Sequence, residues 1–351
     1  MNTEIQIVNP EYFQDVQLER ACKVLQSGGL VAFPTETVYG LGGDALSSDA
    51  AQKIYAAKGR PSDNPLIVHI GREEDLHRVA KQVDGQARKL MAAFWPGPLT
   101  LIFHKKKVVP ESTTGGMQTV AVRMPSHPIA LALIRNSGVL IAAPSANASG
   151  RPSPTRASHV QEDLQGRIDM IIDGGQVGIG IESTIVDMTE DIPVILRPGY
   201  ITKSMLEEVV GQVRVDPAML EDKPRKDLVA RAPGMKYRHY APRGRLTIVE
   251  GTLENVVPYI NHILEEHDRR GEIATVIATE ESKSRYRTSR VFSIGSRQTE
   301  GSIAAGLYDI LRQMDAVGAE YIYAESFQGD RLGAAIMNRM LKAAGYHKIN
   351  I

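Results

Sequence analysis

The sequence predicts an α/β protein in which a larger domain of mixed helix and strand is followed by a smaller parallel-sheet domain of the doubly wound type. Three observations carry this. The chain has 351 residues, about twice the common size of one domain. Short apolar runs of strand length alternate with helical stretches along most of it. The pattern weakens from Val215 to Arg245, where Pro217, Pro224, Pro233 and Pro242 prevent any long regular element. The expected organisation is a domain over 1–214, a linker over 215–245 and a second domain over 246–351.

Taken in order, Asp15 to Gln26 carries apolar residues at helical spacing and stops at Ser27-Gly28-Gly29. Leu30 to Pro34 then reads as a buried strand feeding the polar loop Thr35-Glu36-Thr37. Ser48 or Asp49 is the expected cap of a helix running to about Lys58, and Gly59, Pro61 and Pro65 hold the next segment as a loop. In the strand Leu66 to Ile70, alternation puts His69 on the face of Ile67, opposite Leu66, Val68 and Ile70. Leu99 to Phe103, Thr119 to Arg123, Val139 to Ala143, Met170 to Asp173 and Thr184 to Met188 read as further strands, interleaved with helices near 86–94, 127–136 and 155–164. After the linker, strands at Leu246 to Glu250, Ile273 to Ala278, Val291 to Ile294 and Tyr321 to Ala324 alternate with helices near 253–266, 302–317 and 331–344.

Forty-one basic residues balance forty-one acidic ones, which argues against a chain built mainly to hold nucleic acid through counterion release. The linker is locally basic. Positions 223, 225, 226, 231, 236, 238, 243 and 245 are Lys or Arg against the single acid Asp227, a bias that suits either a cover over an anionic ligand or a solvated spacer. The lone Cys22 gives no intramolecular disulfide, zinc site or redox pair, so a reducing cytoplasm is expected. Glu4, Glu11 and Asp15 interrupt any apolar run at the start, so no secretory signal is expected. Apolar runs such as Val139 to Ala143 fall far short of the ~20 residues that cross a bilayer, and no membrane role is expected.

No Walker loop, G-x-G-x-x-G, G-x-S-x-G or H-E-x-x-H motif occurs, which removes the familiar kinases, dehydrogenases, esterases and zinc hydrolases. What remains is a set of polar clusters at element ends. Lys58-Gly59-Arg60 puts a point charge and a planar fork around a flexible residue, fit for a polyphosphate, although cations at a helix C-terminus also complement its dipole by roughly 0.3–1 kcal/mol. Ser145-Ala146-Asn147 offers neutral donors beyond a strand, where α/β folds bind ligands, or simply a turn. Gly40 to Gly43 and Gly174 to Gly180 bring backbone N–H groups near a phosphate, or permit tight turns. His69 lines a pocket or fills a structural place. Arg123, ending its strand before Met124-Pro125, is placed to fork a carboxylate or to make a structural ion pair. Glu182-Ser183-Thr184 and Arg197-Pro198-Gly199 are further polar clusters at strand edges.

Taken jointly, Pro34-Thr35-Glu36-Thr37-Val38-Tyr39-Gly40-Leu41, Lys58-Gly59-Arg60-Pro61, Asn64-Pro65-Leu66, Trp95-Pro96-Gly97-Pro98-Leu99-Thr100, Arg123-Met124-Pro125, Pro144-Ser145-Ala146-Asn147 and Arg197-Pro198-Gly199 resemble the YrdC/Sua5 family. The likeness covers about residues 10–210. The extra C-terminal part, and Pro233-Gly234-Met235-Lys236-Tyr237-Arg238-His239-Tyr240, are similar to the longer, two-domain Sua5 branch. The resemblance implies a twisted open α/β sheet domain joined to a smaller Rossmann-like one. It also implies a nucleotidyltransferase, a threonylcarbamoyl-AMP synthase that condenses L-threonine, bicarbonate or CO2, and ATP for tRNA threonylcarbamoyladenosine modification. By matching motifs, Thr35, His69, Arg123, Ala143 and Ser183 are assigned to L-threonine, with Arg123 on its carboxylate. Lys58, Arg60, Asn64, Thr119, Ser145, Asn147, Ser153 and Arg197 are assigned to ATP, with Lys58 and Arg60 as the catalytic pair and Tyr237 reaching in from a linker lid. Mg2+ is expected with the ATP phosphates, in a cytoplasmic enzyme that meets tRNA or a downstream threonylcarbamoyl-transferase complex.

Overall fold

A computed structural model describes residues 2–219, 231–233, 240–327 and 332–351. They form two compact units. The first takes the described residues up to Pro233 apart from Gly150–Pro152 and Ile179–Ile181; the second takes those two short segments and the described residues from Tyr240 onward.

In the first unit the strands are β1 (Glu4–Ile7), β2 (Val31–Phe33), β3 (Gly40–Asp44), β4 (Ile67–His69), β5 (Leu99–His104), β6 (Thr119–Arg123), β7 (Ile141–Ala142), β8 (Met170–Asp173), β9 (Thr184–Asp187), β10 (Val194–Arg197) and β11 (Arg214–Val215). They join in the order β1-β8-β2-β3-β7-β4-β6-β5-β9-β10-β11. The sheet is mixed: β4 runs parallel to β6 and β5 to β9, whereas β7 is antiparallel to β4 and β5 to β6. Alternation along the strands separates the two faces. Leu66, Val68, Ile70, Leu101, Phe103, Val120 and Val122 enter one core, and Ile67, Ile102, Ala121 and Ile185 another, as the pleat requires.

The helix Ser48–Lys58 is capped by Ser47 rather than by Ser48 or Asp49: the hydroxyl of Ser47 accepts the Ala50 N–H at 3.2 Å. It stops because Gly59 turns left-handed at φ 61°, which leaves Lys58 on the last turn and sends Arg60 into a loop. Gly40 to Gly43 is not a phosphate-cradling turn. It lies in the buried strand β3, where a Cβ on Gly42 would come within 2.6 Å of the Ile141 side chain and 2.8 Å of Phe33. The stretch before Gln26 begins as a 3-10 turn at Asp15–Leu18 and becomes α-helical only at Glu19–Gln26. The unforeseen helix Lys203–Val210 completes the unit.

Of the segment read as a linker, Val215 belongs with Arg214 to the strand β11 that extends the first sheet, and Pro217–Met219 forms a 3-10 turn. Arg231 pairs with Asp187, Glu190 and Asp216, so this cation is committed to acids of the first unit. Tyr237, the lid it was expected to carry, and most of the other basic residues there lie outside the described residues.

The second unit holds β12 (Arg245–Glu250), β13 (Ala274–Ala278), β14 (Val291–Ser293), β15 (Tyr321–Glu325) and β16 (Lys348–Asn350), in the all-parallel order β14-β13-β15-β12-β16. Its long helix Leu253–Arg270 buries Val256, Val257, Ile260 and Leu264 against Val249, Val276 and Ala278. Parallel crossovers are usually made by such a helix; the one from β13 to β14 holds only the 3-10 turn Lys283–Arg285.

One close approach fixes the loop ahead of β9. A Cβ on Gly199 would lie 2.5 Å from the Thr184 nitrogen and 2.6 Å from the Glu182 carbonyl, both backbone atoms that cannot move aside cheaply. Gly199→Ala is therefore expected to lower unfolding free energy by about 1–3 kcal/mol in urea titrations, whereas an unchanged midpoint would show that the loop yields.

Candidate active site

The candidate residues gather because strand register aligns them. His69 pairs across from Arg123 on β6 and from Ile141 on β7, and Arg123 pairs across from Thr100 on β5. Thr100 in turn shares a 2.7 Å hydrogen bond between hydroxyls with Ser183. Ala143 follows β7 and gives its N–H to the Ile67 carbonyl at 2.9 Å. One level of the sheet thus carries His69, Arg123, Thr100 and Ser183, with Ala143 two residues back along β4.

The loop after β2 closes over Arg123. Thr35 builds it: its hydroxyl accepts the N–H groups of Thr37 (3.1 Å) and Val38 (3.2 Å) and donates to the Val38 carbonyl at 2.6 Å. This tight turn aims Thr37 and Glu36 at the guanidinium. Nη1 of Arg123 donates to the Thr37 hydroxyl at 2.9 Å, Nη2 lies 2.8 Å from Glu36 Oε1, and Nε faces the Gly97 carbonyl at 3.4 Å. Arg123 therefore makes the structural ion pair that was one of its two readings. Glu36, Thr37 and Thr100 had no assigned role, although Glu36 is conspicuous as the one carboxylate in a motif that otherwise enters the core.

A second group lies at the other end of the same strands. Because Ile67 pairs with Ala121 and Val68 with Ala142, Asn64 before β4, Thr119 at the start of β6 and Ser145 beyond β7 share a level on the side away from His69 and Arg123. Lys58, buried at the helix end, donates its ammonium to the carbonyls of Ser145 and Asn147, and the Ser145 hydroxyl donates to Asn147 Oδ1 at 2.6 Å. Arg60 holds the facing loop, with Nε on the Asn64 carbonyl at 3.3 Å and Nη2 on that of Pro65 at 3.1 Å. In this state both cations brace loops. Asn64 is the exception: its amide side chain is 1% exposed, yet neither Nδ2 nor Oδ1 has a hydrogen-bond partner among the described residues. An unmet buried amide costs about 1–3 kcal/mol, and such a group calls for an explanation.

The remaining candidates join the first level instead. A register shift between Ile195 and Arg197 turns Arg197 so that Nε and Nη2 both reach the Ser183 carbonyl, at 3.1 and 3.0 Å, with Nη2 also on its hydroxyl at 3.1 Å. Ser153 donates to Glu182 Oε1 at 2.6 Å, next to Ser183. Of the residues assigned to ATP, Arg197 and Ser153 thus stand by Ser183 and its neighbour Glu182, while Lys58, Arg60, Asn64, Thr119, Ser145 and Asn147 stand towards the other end of the strands.

Charge at the first level is tightly set. Burial, then the nearby Arg123 charge, depresses the His69 imidazole to about 3, and its Nδ1–H donates to the Ile67 carbonyl at 3.1 Å. Burial likewise lowers His127 to about 4, against the pull of Glu36. Burial pushes the Glu36 carboxyl up, but the Arg123 guanidinium overrides it and holds the group below its ordinary value. Among the described residues no group of three His, Cys, Asp or Glu side chains is arranged to hold a metal ion. Cations, amides and hydroxyls of this kind suit carboxylate and phosphate oxygens.

The two histidines set a pH dependence. Their folded values lie below the unfolded value of about 6.5, so the unfolded chain takes up protons first and stability falls as pH drops from about 6.5 towards 4. His69→Gln should flatten that fall in denaturant titrations across the range, while an unchanged slope would contradict a neutral buried imidazole.

Comparison with known proteins agrees with this geometry. A family model covering Sua5, YciO and YrdC proteins, described as telomere recombination, matches residues 23–199, and one described as the threonylcarbamoyl-AMP synthase C-terminal domain matches residues 201–345. The threonylcarbamoyl-AMP synthase of Bacillus subtilis is 51% identical over 94% of both chains, and that of Pyrococcus abyssi is 47% identical over 97% of this chain and 98% of the relative. A crystal structure of P. abyssi Sua5 complexed with L-threonine superposes with a TM-score of 0.93 at 46% identity, covering 99% of this chain and all of that one. The chain belongs to the Sua5/YciO/YrdC family, in the form that carries the Sua5 C-terminal domain.

Proposed function

We propose that the protein is an L-threonylcarbamoyladenylate synthase, which joins L-threonine, bicarbonate or CO2, and MgATP into threonylcarbamoyl-AMP with release of pyrophosphate. The observation that carries this reading is the register of β4, β6 and β7, which puts an anion-pairing arginine at one end of a short strand set and a cation-braced polar loop at the other. That arrangement suits an amino acid and a nucleotide laid along the same strands. The complex of a 46% identical relative with L-threonine supports the first ligand.

On this reading Arg123 holds the substrate carboxylate, with Thr35, His69, Ala143 and Ser183 around the remainder of threonine. The carbamate oxygen attacks the α-phosphorus and pyrophosphate leaves, a displacement that needs alignment and charge neutralisation and no protein nucleophile. Lys58 and Arg60, with Arg197, neutralise the phosphates; Ser145, Asn147, Ser153 and Thr119 orient the nucleotide. For Lys58 and Arg60 this means sharing protons now given to loop carbonyls, so nucleotide binding and loop position are linked. Asn64 gains on binding what it lacks here, a partner for its amide. Magnesium enters with ATP as part of the substrate. Tyr237, outside the described residues, is assigned to ATP by motif likeness alone. The product serves tRNA threonylcarbamoyladenosine formation in the cytoplasm, in contact with tRNA or a downstream transferase complex.

Purified protein given MgATP, bicarbonate and L-threonine should release pyrophosphate and form the adenylate only when all three are present; release indifferent to threonine and bicarbonate would overturn the reading. Lys58→Ala should lower kcat by roughly 100-fold or more. Asn64→Ala separates function from folding: its unfolding midpoint should hold or rise, because an unmet amide is removed, while the KM for ATP rises about tenfold. A lower midpoint with unchanged KM would place Asn64 in the fold alone.

A further inference from the structure

The Arg123–Glu36 pair is buried, with side chains 5% and 13% exposed, and the charges lie 2.8 Å apart. Its hydrogen-bonding capacity is nevertheless unfilled. Neither Glu36 oxygen nor Arg123 Nη2 makes a hydrogen bond of ordinary geometry among the described residues; the Arg123 guanidinium and the N–H groups of Glu36 and Ser126, which favour the carboxylate, all stand outside that geometry. The imidazoles that share its electrostatic field, His69 and His127, are neutral at physiological pH. The Arg123–Glu36 pair is therefore one guanidinium and one carboxylate, balanced within itself, as Arg197 and Glu182 beside Ser183 also offset one another in sign.

A balanced buried pair discriminates among ligands. A simple carboxylate docking on Arg123 would leave two anions facing one cation, a like-charge contact taken out of water. An α-amino acid carries its ammonium and carboxylate on one carbon, so it can meet both protein charges at once and keep the total unchanged. The open hydrogen-bonding positions on Glu36 and on Arg123 Nη2 are what such a zwitterion would fill.

We infer that Glu36 is the residue that selects an α-amino acid at this site, accepting the α-ammonium of the substrate while Arg123 takes its carboxylate. This rests on the proposal that the Arg123 end of the strands is the amino-acid site. Thr37 then acts as a positioning residue, since its hydroxyl fixes Nη1 and leaves Nη2 for the exchange of partners.

Calorimetric titration of the full chain with L-threonine and with (R)-3-hydroxybutyrate, which is threonine without its amine, tests the inference. The wild type should prefer threonine by roughly tenfold or more, and Glu36→Gln should bring the two ligands within about threefold, mainly through lost threonine affinity. Glu36→Asp, which keeps the charge, should recover a preference and guards against a merely structural effect. Undiminished preference in Glu36→Gln would overturn the role of Glu36 and leave the amino-acid site standing. A wild type that binds no threonine would overturn that site itself.

Discussion

A guanidinium taken out of water must find its counter-charge and hydrogen bonds inside the protein, and on the loop after β2 Arg123 finds the charge in Glu36 and a hydrogen bond in Thr37. Leaving such an ion without its partner typically costs about 3–5 kcal/mol. The requirement explains why Thr35 forms a tight turn, why Thr37 and Glu36 point inward, and why the loop cannot drift from the strand ends. After burial, the same charge also lowers the proton affinity of His69, which pairs directly across the sheet from it. One buried cation thus ties together β2, β4, β5 and β6 through the loop at Gly97 and the pairing of Thr100.

The other cations of the site serve loops in the same way. Lys58 gathers the segment after β7, Arg60 the segment before β4, and Arg197 the segment before β9. Each is occupied with backbone carbonyls, and on the proposed function those donors are redistributed when an anion arrives. Asn64 differs in having nothing to give up. A site built this way couples binding to loop position, and by the inference above Glu36 carries its specificity.

Much of this was legible along the chain. Thr119–Arg123 and Met170–Asp173 stand where alternation and flanking polar residues put them, because a strand buried on both faces leaves a short apolar run with clear ends. The parallel C-terminal sheet followed from its alternation with helices. What escaped lacked a side-chain pattern or depended on distance. β3 is mostly glycine and has no periodicity to read; β1 is an exposed edge strand with Ile5 and Ile7 facing out. The pairing of Lys58 with residues 145 and 147, and the turn of Arg197 at a register shift, arise only once the sheet is assembled. Motif likeness pointed to Arg123 and Lys58 but gave Glu36 no role, since its pairing with Arg123 arises only once the loop after β2 folds over the sheet.

The central claim is that the Arg123–Glu36 pair receives the two charges of an amino acid at one end of the strands while a nucleotide occupies the other. A crystal structure of the full chain grown with L-threonine and a non-hydrolysable ATP analogue tests it most directly. The account predicts the threonine carboxylate on Arg123, its ammonium facing Glu36, and the nucleotide along Asn64 and the Ser145–Asn147 loop. Threonine bound with its carboxylate away from Arg123, or an intact Arg123–Glu36 contact with the amine turned elsewhere, would contradict it.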